Sequence, residues 1–136
     1  MKMRVIYFSS KKKILDLADH LSKNSDDYKP DKIPPDYSLD KEKLLVLGMS
    51  QLTRLPDEVR RFVTNLRPGI VKNVALYTDR PEKEVAEFIA KLRENDTNVI
   101  DDVLYVKSEF LPFVKASDEE KKQADEWFER ILPRLK

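Results

Sequence analysis

The sequence contains no cysteine and only one histidine in 136 residues. Without cysteine the chain has no disulfide bonds, thiol nucleophiles, thiolate metal sites or cysteine-ligated iron–sulfur clusters. The single histidine is His20, in the first helical segment. No second histidine and no clustered pair of carboxylates lies where the predicted strands end, so neither a metal site nor a serine–histidine–aspartate triad can be assembled. The sequence shows no catalytic constellation, and whether the protein is an enzyme stays open.

Long hydrophobic runs are absent as well. No apolar stretch is long enough to span a bilayer. The basic start of the chain leads into an apolar run that stops at Phe8 with no small-residue cleavage site after it, so no secretory signal is predicted. We therefore expect a cytoplasmic protein that has no membrane partner.

No charge of one sign predominates, because 26 Lys and Arg residues are balanced by 25 Asp and Glu residues, giving a formal net charge of +1. This balance favours neither general nucleic-acid binding nor attraction to an anionic membrane. The length predicts a single domain over residues 1–136 that buries a core without staples or metals. Any electrostatic function must therefore be local.

Short apolar runs rich in Val, Leu, Ile and Tyr alternate with segments of helical periodicity. The predicted buried strands are residues 5–8, 44–47, 74–77 and 103–106. The predicted helical stripes are Ile14, Leu17, Ala18 and Leu21; Val59, Phe62, Val63 and Leu66; Val85, Phe88, Ile89 and Leu92; and Ala124, Trp127, Phe128, Ile131, Leu132 and Leu135. The alternation predicts an α/β fold, a three-layer α/β/α sandwich around a mainly parallel sheet.

A fifth strand is predicted near Ile33, where Pro30, Pro34 and Pro35 confine it to an edge of the sheet. Paired beside the first strand, it gives a five-stranded sheet of order 2-1-3-4-5. Ligands should then bind at the carboxyl ends of strands one and three, where the order reverses.

Two helix starts have recognisable caps. Ser117 and Glu120 form a predicted capping box ahead of the last helix. Asp79 stands three residues before Glu82, with Pro81 between them, which predicts a favourable first turn for the third helix.

The chain resembles the flavodoxin family over nearly its whole length. Residues 4–10, RVIYFSS, are similar to the family's first strand and the opening of its phosphate loop. Residues 44–48 and then 54–62 look like its third strand, flavin loop and following helix. Residues 103–106 and 118–132 look like its last strand and final helix. The resemblance implies a flavodoxin-like fold.

The resemblance also implies FMN as cofactor, with no metal, held by three loops at the ligand edge. The residues at the matching positions are Ser9, Ser10, Lys11, Lys12 and Lys13; Met49, Ser50, Gln51, Leu52 and Thr53; and Thr78 and Asp79. In an FMN-binding protein of this kind the flavin would carry electrons between partners.

All three loops depart from the family's pattern. In the phosphate loop, Lys12 and Ile14 stand where the family has a glycine and a hydroxyl residue, and these normally let the backbone and side chain satisfy phosphate. The second loop lacks the aromatic residue that commonly stacks on the flavin, and the third has no glycine. Tyr77 is better placed in the core than against a flavin. We predict weakened or lost FMN binding, with an FMN-binding electron-transfer protein as the alternative.

The three consecutive lysines, Lys11, Lys12 and Lys13, are the strongest local signal. A helix N-terminus disfavours adjacent cations by about 0.3 to 1 kcal/mol each, and the topology brings Arg54 and Arg80 to the same edge of the sheet. A bound anion such as a phosphate-containing small molecule, or an acidic protein partner, would explain the cluster. The alternative is that the lysines point into water at little cost.

Segment 110–114, with the sequence FLPFV, is unusually apolar for a loop and lies between the last strand and the last helix. It is interpreted either as a contact surface for a partner, a second copy or a flavin, or as a cap that folds back on the core.

Overall fold

A computed structural model describes residues 1–108 and 110–136. The strands are β1 (Met3–Phe8), β2 (Asp31–Lys32), β3 (Glu42–Met49), β4 (Val71–Thr78), β5 (Asn98–Val99) and β6 (Leu104–Tyr105). The helices are α1 (Lys12–Leu21), α2 (Asp57–Thr64), α3 (Glu82–Arg93) and α4 (Asp118–Ile131), with 3₁₀ turns at Ser22–Asn24 and Leu132–Arg134. None of these helices within the described ranges is long and apolar enough to cross a membrane.

The sheet is parallel, with the order β2-β1-β3-β4-β5 and with β6 also paired to β4. The order 2-1-3-4-5 predicted from the sequence is therefore confirmed. In the central pairs, Phe8 is opposite Met49 and Met49 is opposite Thr78. Because these three residues end their strands in register, the segments that follow them emerge side by side at one edge, here called the carboxyl edge.

The outer strands differ from the predicted ones. At one side β2 comprises Asp31–Lys32, and Ile33 lies just beyond it, with its N–H donating to the Tyr7 carbonyl. At the other side the fifth strand is split into β5 and β6. The break falls at Asp102, whose carbonyl accepts a hydrogen bond from the Trp127 indole at 2.7 Å and whose carboxylate pairs with Arg130.

Each face of the sheet is covered by two helices, which gives the predicted three-layer sandwich. Buried side chains of α1 and α4 pack with Val5, Val46 and Tyr77 on one face. Those of α2 and α3 pack with Ile6 and Leu47 on the other. Alternate residues of the strands thus enter opposite cores, as a sheet covered on both faces requires.

The predicted caps had different outcomes. The Ser117 and Glu120 capping box is present at the start of α4. The third helix begins at Glu82, as its predicted start requires, with Glu82 and Glu84 in its first turn. Asp79 does not cap it, because Pro81 precedes the helix and Asp79 bonds to Lys11. The Thr78 hydroxyl accepts from the Arg80 N–H at 3.1 Å.

Tyr77 packs over Gly48, its partner on the neighbouring central strand. A Cβ atom at Gly48 would lie 2.2 Å from the Cζ atom of Tyr77, so the ring uses the space that any side chain there would fill. Tyr77 is fully buried, and its hydroxyl donates to the Ile14 carbonyl at 2.8 Å. Burial, and secondarily Tyr7, raises the pKa of Tyr77 well above its usual value. The tyrosine therefore stays a neutral donor that joins β4 to the first turn of α1.

We predict that Gly48→Ala destabilises the protein by about 1 to 3 kcal/mol, because the new methyl group forces the Tyr77 ring from its position. Gly69→Ala is the matched control, since a Cβ there has no neighbour within 4 Å, and its effect should be below about 1 kcal/mol in either direction. Urea unfolding measures both. Equal effects of the two substitutions would contradict the packing argument.

Glu42 is a buried carboxylate at the opposite, amino end of β3. Glu42 is 5% exposed, and its Oε2 atom has no hydrogen-bond partner in the described part of the chain. Burial raises the pKa of Glu42, an effect only partly opposed by the charges of Lys2 and Arg4. A raised pKa in the folded state means that ionised Glu42 weakens the fold at neutral pH.

We predict that Glu42→Gln raises the free energy of unfolding at pH 7, because it removes the penalty on a buried charge. The gain should shrink as the pH falls through the raised pKa of the folded state, and it should vanish below the unfolded value of about 4.3, where Glu42 is protonated in both states. Unfolding curves across this range measure the difference. A gain that is independent of pH would rule out titration of Glu42 as its cause.

Candidate functional site

The candidate site lies at the carboxyl edge, where β1, β3 and β4 end together. Ser9 follows β1 and Ser50 follows β3, and the Ser50 hydroxyl donates to the Ser9 hydroxyl at 2.7 Å. The same Ser9 oxygen accepts from the Lys11 N–H at 2.9 Å. Two of the predicted loops are thus joined in the crevice between β1 and β3, the place that the strand order predicts for a ligand.

Lys11 and Asp79 form a largely buried ion pair across this crevice. The Nζ atom of Lys11 lies 2.5 Å from Oδ2 of Asp79, and the Asp79 side chain is only 2% exposed. The other oxygen, Oδ1, is buried and has no hydrogen-bond partner among the described residues. Asp79, in the third predicted loop, therefore places its carboxylate beside Lys11, the first of the three lysines.

Lys13 turns away from the crevice towards α4. Its ammonium lies 2.8 Å from Oε2 of Glu120 and donates to the Lys107 carbonyl at 3.2 Å, with 5% of the side chain exposed. Burial would raise the pKa of Glu120, but hydrogen bonds from Lys13 and from the Ser117 N–H outweigh it and lower that pKa. Lys13 consequently joins α1 to α4 and to the segment after β6.

Lys12 stays at the surface and pairs with Asp16 one turn later, at 2.8 Å. The hydrogen bond to Asp16, with its charge, raises the pKa of Lys12. The backbone N–H of Lys12, at the first position of α1, donates to the Pro112 carbonyl at 2.6 Å. The interpretation that the lysines simply point into water is wrong for Lys11 and Lys13, whose ammonium groups pair with Asp79 and Glu120.

The remaining predicted residues divide between buried and more exposed positions, and Thr53 is exposed. Met49, Leu52 and Thr78 are buried, and the Thr78 hydroxyl donates to the Met49 carbonyl at 2.6 Å. Gln51 closes its own loop by donating to the carbonyls of Thr53 and Arg54. Ser10 is exposed. The structure therefore brings Ser9, Ser50, Lys11 and Asp79 together and leaves the other predicted residues in structural positions.

The expected cationic edge is largely neutralised from within. Arg80 pairs with Glu84 at 2.8 Å, just as the three lysines pair with their own carboxylates. Arg54, with a φ of 52°, instead lines a separate cleft of about 540 Å³ between α2 and α3. That cleft is also lined by Lys91 and by the carboxylates of Glu87 and Glu94. Because it carries charges of both signs, it favours neither an anion nor a cation as ligand.

Segment 110–114 covers the start of α1 and carries exposed aromatic side chains. Phe110 is 98% exposed and Phe113 is 69% exposed, so the interpretation as a core cap is wrong for both phenylalanines. Leu111 and Val114 instead line a cavity of about 10 Å³ beside Lys11 and Asp79. The segment thus closes the crevice on its inner side and presents phenylalanines on its outer side.

As arranged, the carboxyl edge does not fit an FMN phosphate at the start of α1. The fold would place that phosphate against the free N–H groups of the helix N-terminus. Here Pro112 accepts from the Lys12 N–H, Ser9 accepts from the Lys11 N–H, and the buried Asp79 carboxylate would repel a phosphate. The space between Lys11, Asp79 and the covering segment has room for about one water molecule.

Sequence reasoning missed the partners that complete the site. The Lys12–Asp16 pair has the spacing of adjacent helical turns and was open to prediction. Glu120, Lys107 and Pro112 are distant in the sequence and gave no local signal. In the ranges that the structure covers, no group of three His, Cys, Asp or Glu side chains is placed to hold a metal ion.

Comparison with known proteins identifies the fold. No protein-family model and no curated protein matches the sequence. Among solved structures, the chain is similar to oxidised flavodoxin 1 from Bacillus cereus, with 18% identity, a TM-score of 0.66 and all of both chains covered. It is also similar to a flavodoxin from Streptococcus pneumoniae, with 16% identity, a TM-score of 0.60, and 99% of this chain and all of that one covered. The protein has a flavodoxin-like α/β fold.

Proposed function

We propose that this protein is a flavodoxin-like interaction module with weakened or lost FMN binding, and that it contacts a partner protein through its carboxyl edge. The observation that carries the proposal is the internal use of the phosphate-binding groups. The first N–H of α1 bonds to Pro112, and Lys11 bonds to the buried Asp79. A flavin phosphate would have to displace both contacts and remain beside a carboxylate.

The exposed part of segment 110–114 supports the contact role. Phe110 and Phe113 present their rings to solvent, and Leu111 is 45% exposed. Aromatic side chains are enriched at the centres of interfaces, where burial of one ring contributes much of the binding energy. Phe110, Leu111 and Phe113 together expose less apolar surface than the roughly 800 Å² that each partner buries in a stable complex. The patch is therefore suited to a transient contact.

The charges beside this patch favour an acidic partner. In the sequence from position 107 to position 115, two lysines, Lys107 and Lys115, are set against one acidic residue, Glu109. Neither lysine side chain has an ion pair in the described structure. The nearby carboxylates of Asp16, Asp79 and Glu120 are already paired with lysines. An apolar surface flanked by unpaired cations complements a partner that presents apolar and acidic groups together.

An FMN-binding electron-transfer protein is the second candidate. It is favoured by the likeness to flavodoxins over the whole chain and by the paired hydroxyls of Ser9 and Ser50 in the crevice. This role requires segment 110–114 and the Lys11–Asp79 pair to move aside when the cofactor enters.

We expect purified protein to be colourless and to show neither saturable quenching of FMN fluorescence nor a higher melting temperature with FMN. The reason is that the N–H groups of Lys11 and Lys12 at the start of α1 are already bonded. Fluorescence titration and thermal unfolding in the presence and absence of FMN provide the test. Saturable quenching together with a raised melting temperature would favour the electron-transfer candidate.

The contact role predicts the class of peptides that the protein selects from a random library. Enriched peptides should combine acidic and apolar residues, and the double substitution Phe110→Ser and Phe113→Ser should weaken their binding at least about tenfold. The fold should be unaffected, because both rings are exposed. Tyr37→Ser, at an exposed aromatic residue in the loop before β3, is the matched control. Equal loss of binding in the control and the double variant would contradict the contact role of segment 110–114.

A further inference from the structure

We propose that the carboxyl edge contains a side-chain site for a small anion and that the chain fills this site with its own carboxylate, Asp79. In this view Asp79 stands where the ligand of the site would bind. The inference concerns the crevice beside Lys11 and does not depend on the partner contact proposed for segment 110–114.

The position of Asp79 is one that favours an anion for two reasons. Lys11 immediately precedes α1, so its ammonium and the partial positive charge of the helix N-terminus act on the same space. Lys11 reaches from the end of β1 past β3 to the residue that follows β4, and there its Nζ atom lies 2.5 Å from Oδ2 of Asp79. The carboxylate is therefore held by a group from the opposite side of the crevice.

The bonding of Asp79 is incomplete for a purely structural ion pair. Its side chain is 2% exposed, yet Oδ1 has no hydrogen-bond partner among residues 1–108 and 110–136. A buried polar atom in this state costs free energy unless a water molecule in the adjoining cavity bonds to it. The same carboxylate borders a cavity of about 10 Å³ that Lys11, Lys13 and Lys107 also line. The Lys13 ammonium is balanced by Glu120, so this lining sets two other lysines, Lys11 and Lys107, around one carboxylate.

Removing the carboxylate should create a site of defined chemistry. Asp79→Ala deletes the internal anion, leaves Lys11 without its partner and enlarges the cavity beside the lysines. Lysine recognises phosphate as a point charge and needs no glycine cradle around it. The ligand class is a small tetrahedral oxyanion, and inorganic phosphate is the probe.

The experiment compares phosphate binding by the wild type and by Asp79→Ala, using calorimetry and the shift in melting temperature. Asp79→Ala should bind phosphate at least about tenfold more tightly than the wild type, and phosphate should raise its melting temperature through mass action. Asp79→Asn, which removes the charge but keeps the volume, should gain much less. The double variant Lys11→Ala with Asp79→Ala should lose the gain.

Glu84→Ala is the matched control, because it frees another cation, Arg80, at the same edge without opening the buried crevice. A similar gain in this control would show that any unpaired cation suffices, and it would overturn the proposal. Equal phosphate binding by the wild type and Asp79→Ala would also overturn it. An FMN titration of the wild type tests the proposed function separately, so failure of one proposal is distinguishable from failure of the other.

A second measurement keeps the proposal testable if Asp79→Ala does not fold. In the wild type, the side-chain ammonium resonance of Lys11 should be observable by NMR, because the buried pair protects it from exchange. Phosphate should leave that resonance unchanged if Asp79 holds the site. A resonance that shifts saturably with phosphate would show that the ligand displaces Asp79 readily, and it would contradict the assignment of Asp79 as the resident anion.

Discussion

The arrangement of the carboxyl edge depends on the contact between Tyr77 and Gly48. The Tyr77 ring crosses β3 only because Gly48 has no side chain, and from there its hydroxyl bonds to the Ile14 carbonyl in the first turn of α1. This fixes the start of α1 relative to β4. Lys11, just before α1, is then within reach of Asp79, two residues after Tyr77. A packing constraint inside the sheet thus determines which charges meet at its edge.

The three lysines at the start of α1 are compatible with the helix dipole because each has a carboxylate of its own. A cation at a helix N-terminus loses roughly 0.3 to 1 kcal/mol, which one ion pair can offset. The pair between Lys12 and Asp16 is exposed and contributes little. The pairs of Lys11 with Asp79 and of Lys13 with Glu120 are buried, and breaking such a pair leaves an uncompensated charge. Their main effect is to hold α1, α4 and the end of β4 in one arrangement.

The sequence was sufficient to predict the fold, but it predicted the site only in part. Hydrophobic periodicity identified the central strands and most of the buried stripes of the four helices, because burial repeats along the chain at fixed intervals. The prediction is wrong for Leu132, which is exposed in the 3₁₀ turn after α4. The split between β5 and β6 was not predicted. Within it, the Asp102 carbonyl accepts a hydrogen bond from Trp127, 25 positions away, and local sequence carries no sign of that contact. The partner of Lys13 was missed for the same reason, whereas Asp79, the partner of Lys11, is among the predicted site residues. The three lysines and Arg80 lie at the predicted edge, but Arg54 lines a separate cleft.

The distribution of glycine explains why this edge depends on side chains. A loop that cradles phosphate with backbone N–H groups needs glycines to bring the backbone close to the anion. This chain has two glycines. Gly48 is required for packing against Tyr77, and Gly69 lies in the turn before β4. An anion at this edge would therefore meet lysine ammonium groups in place of a glycine loop. A lysine pairs with a carboxylate as readily as with a phosphate. For this reason Asp79 can pair with Lys11 in the place that we propose for a small anion.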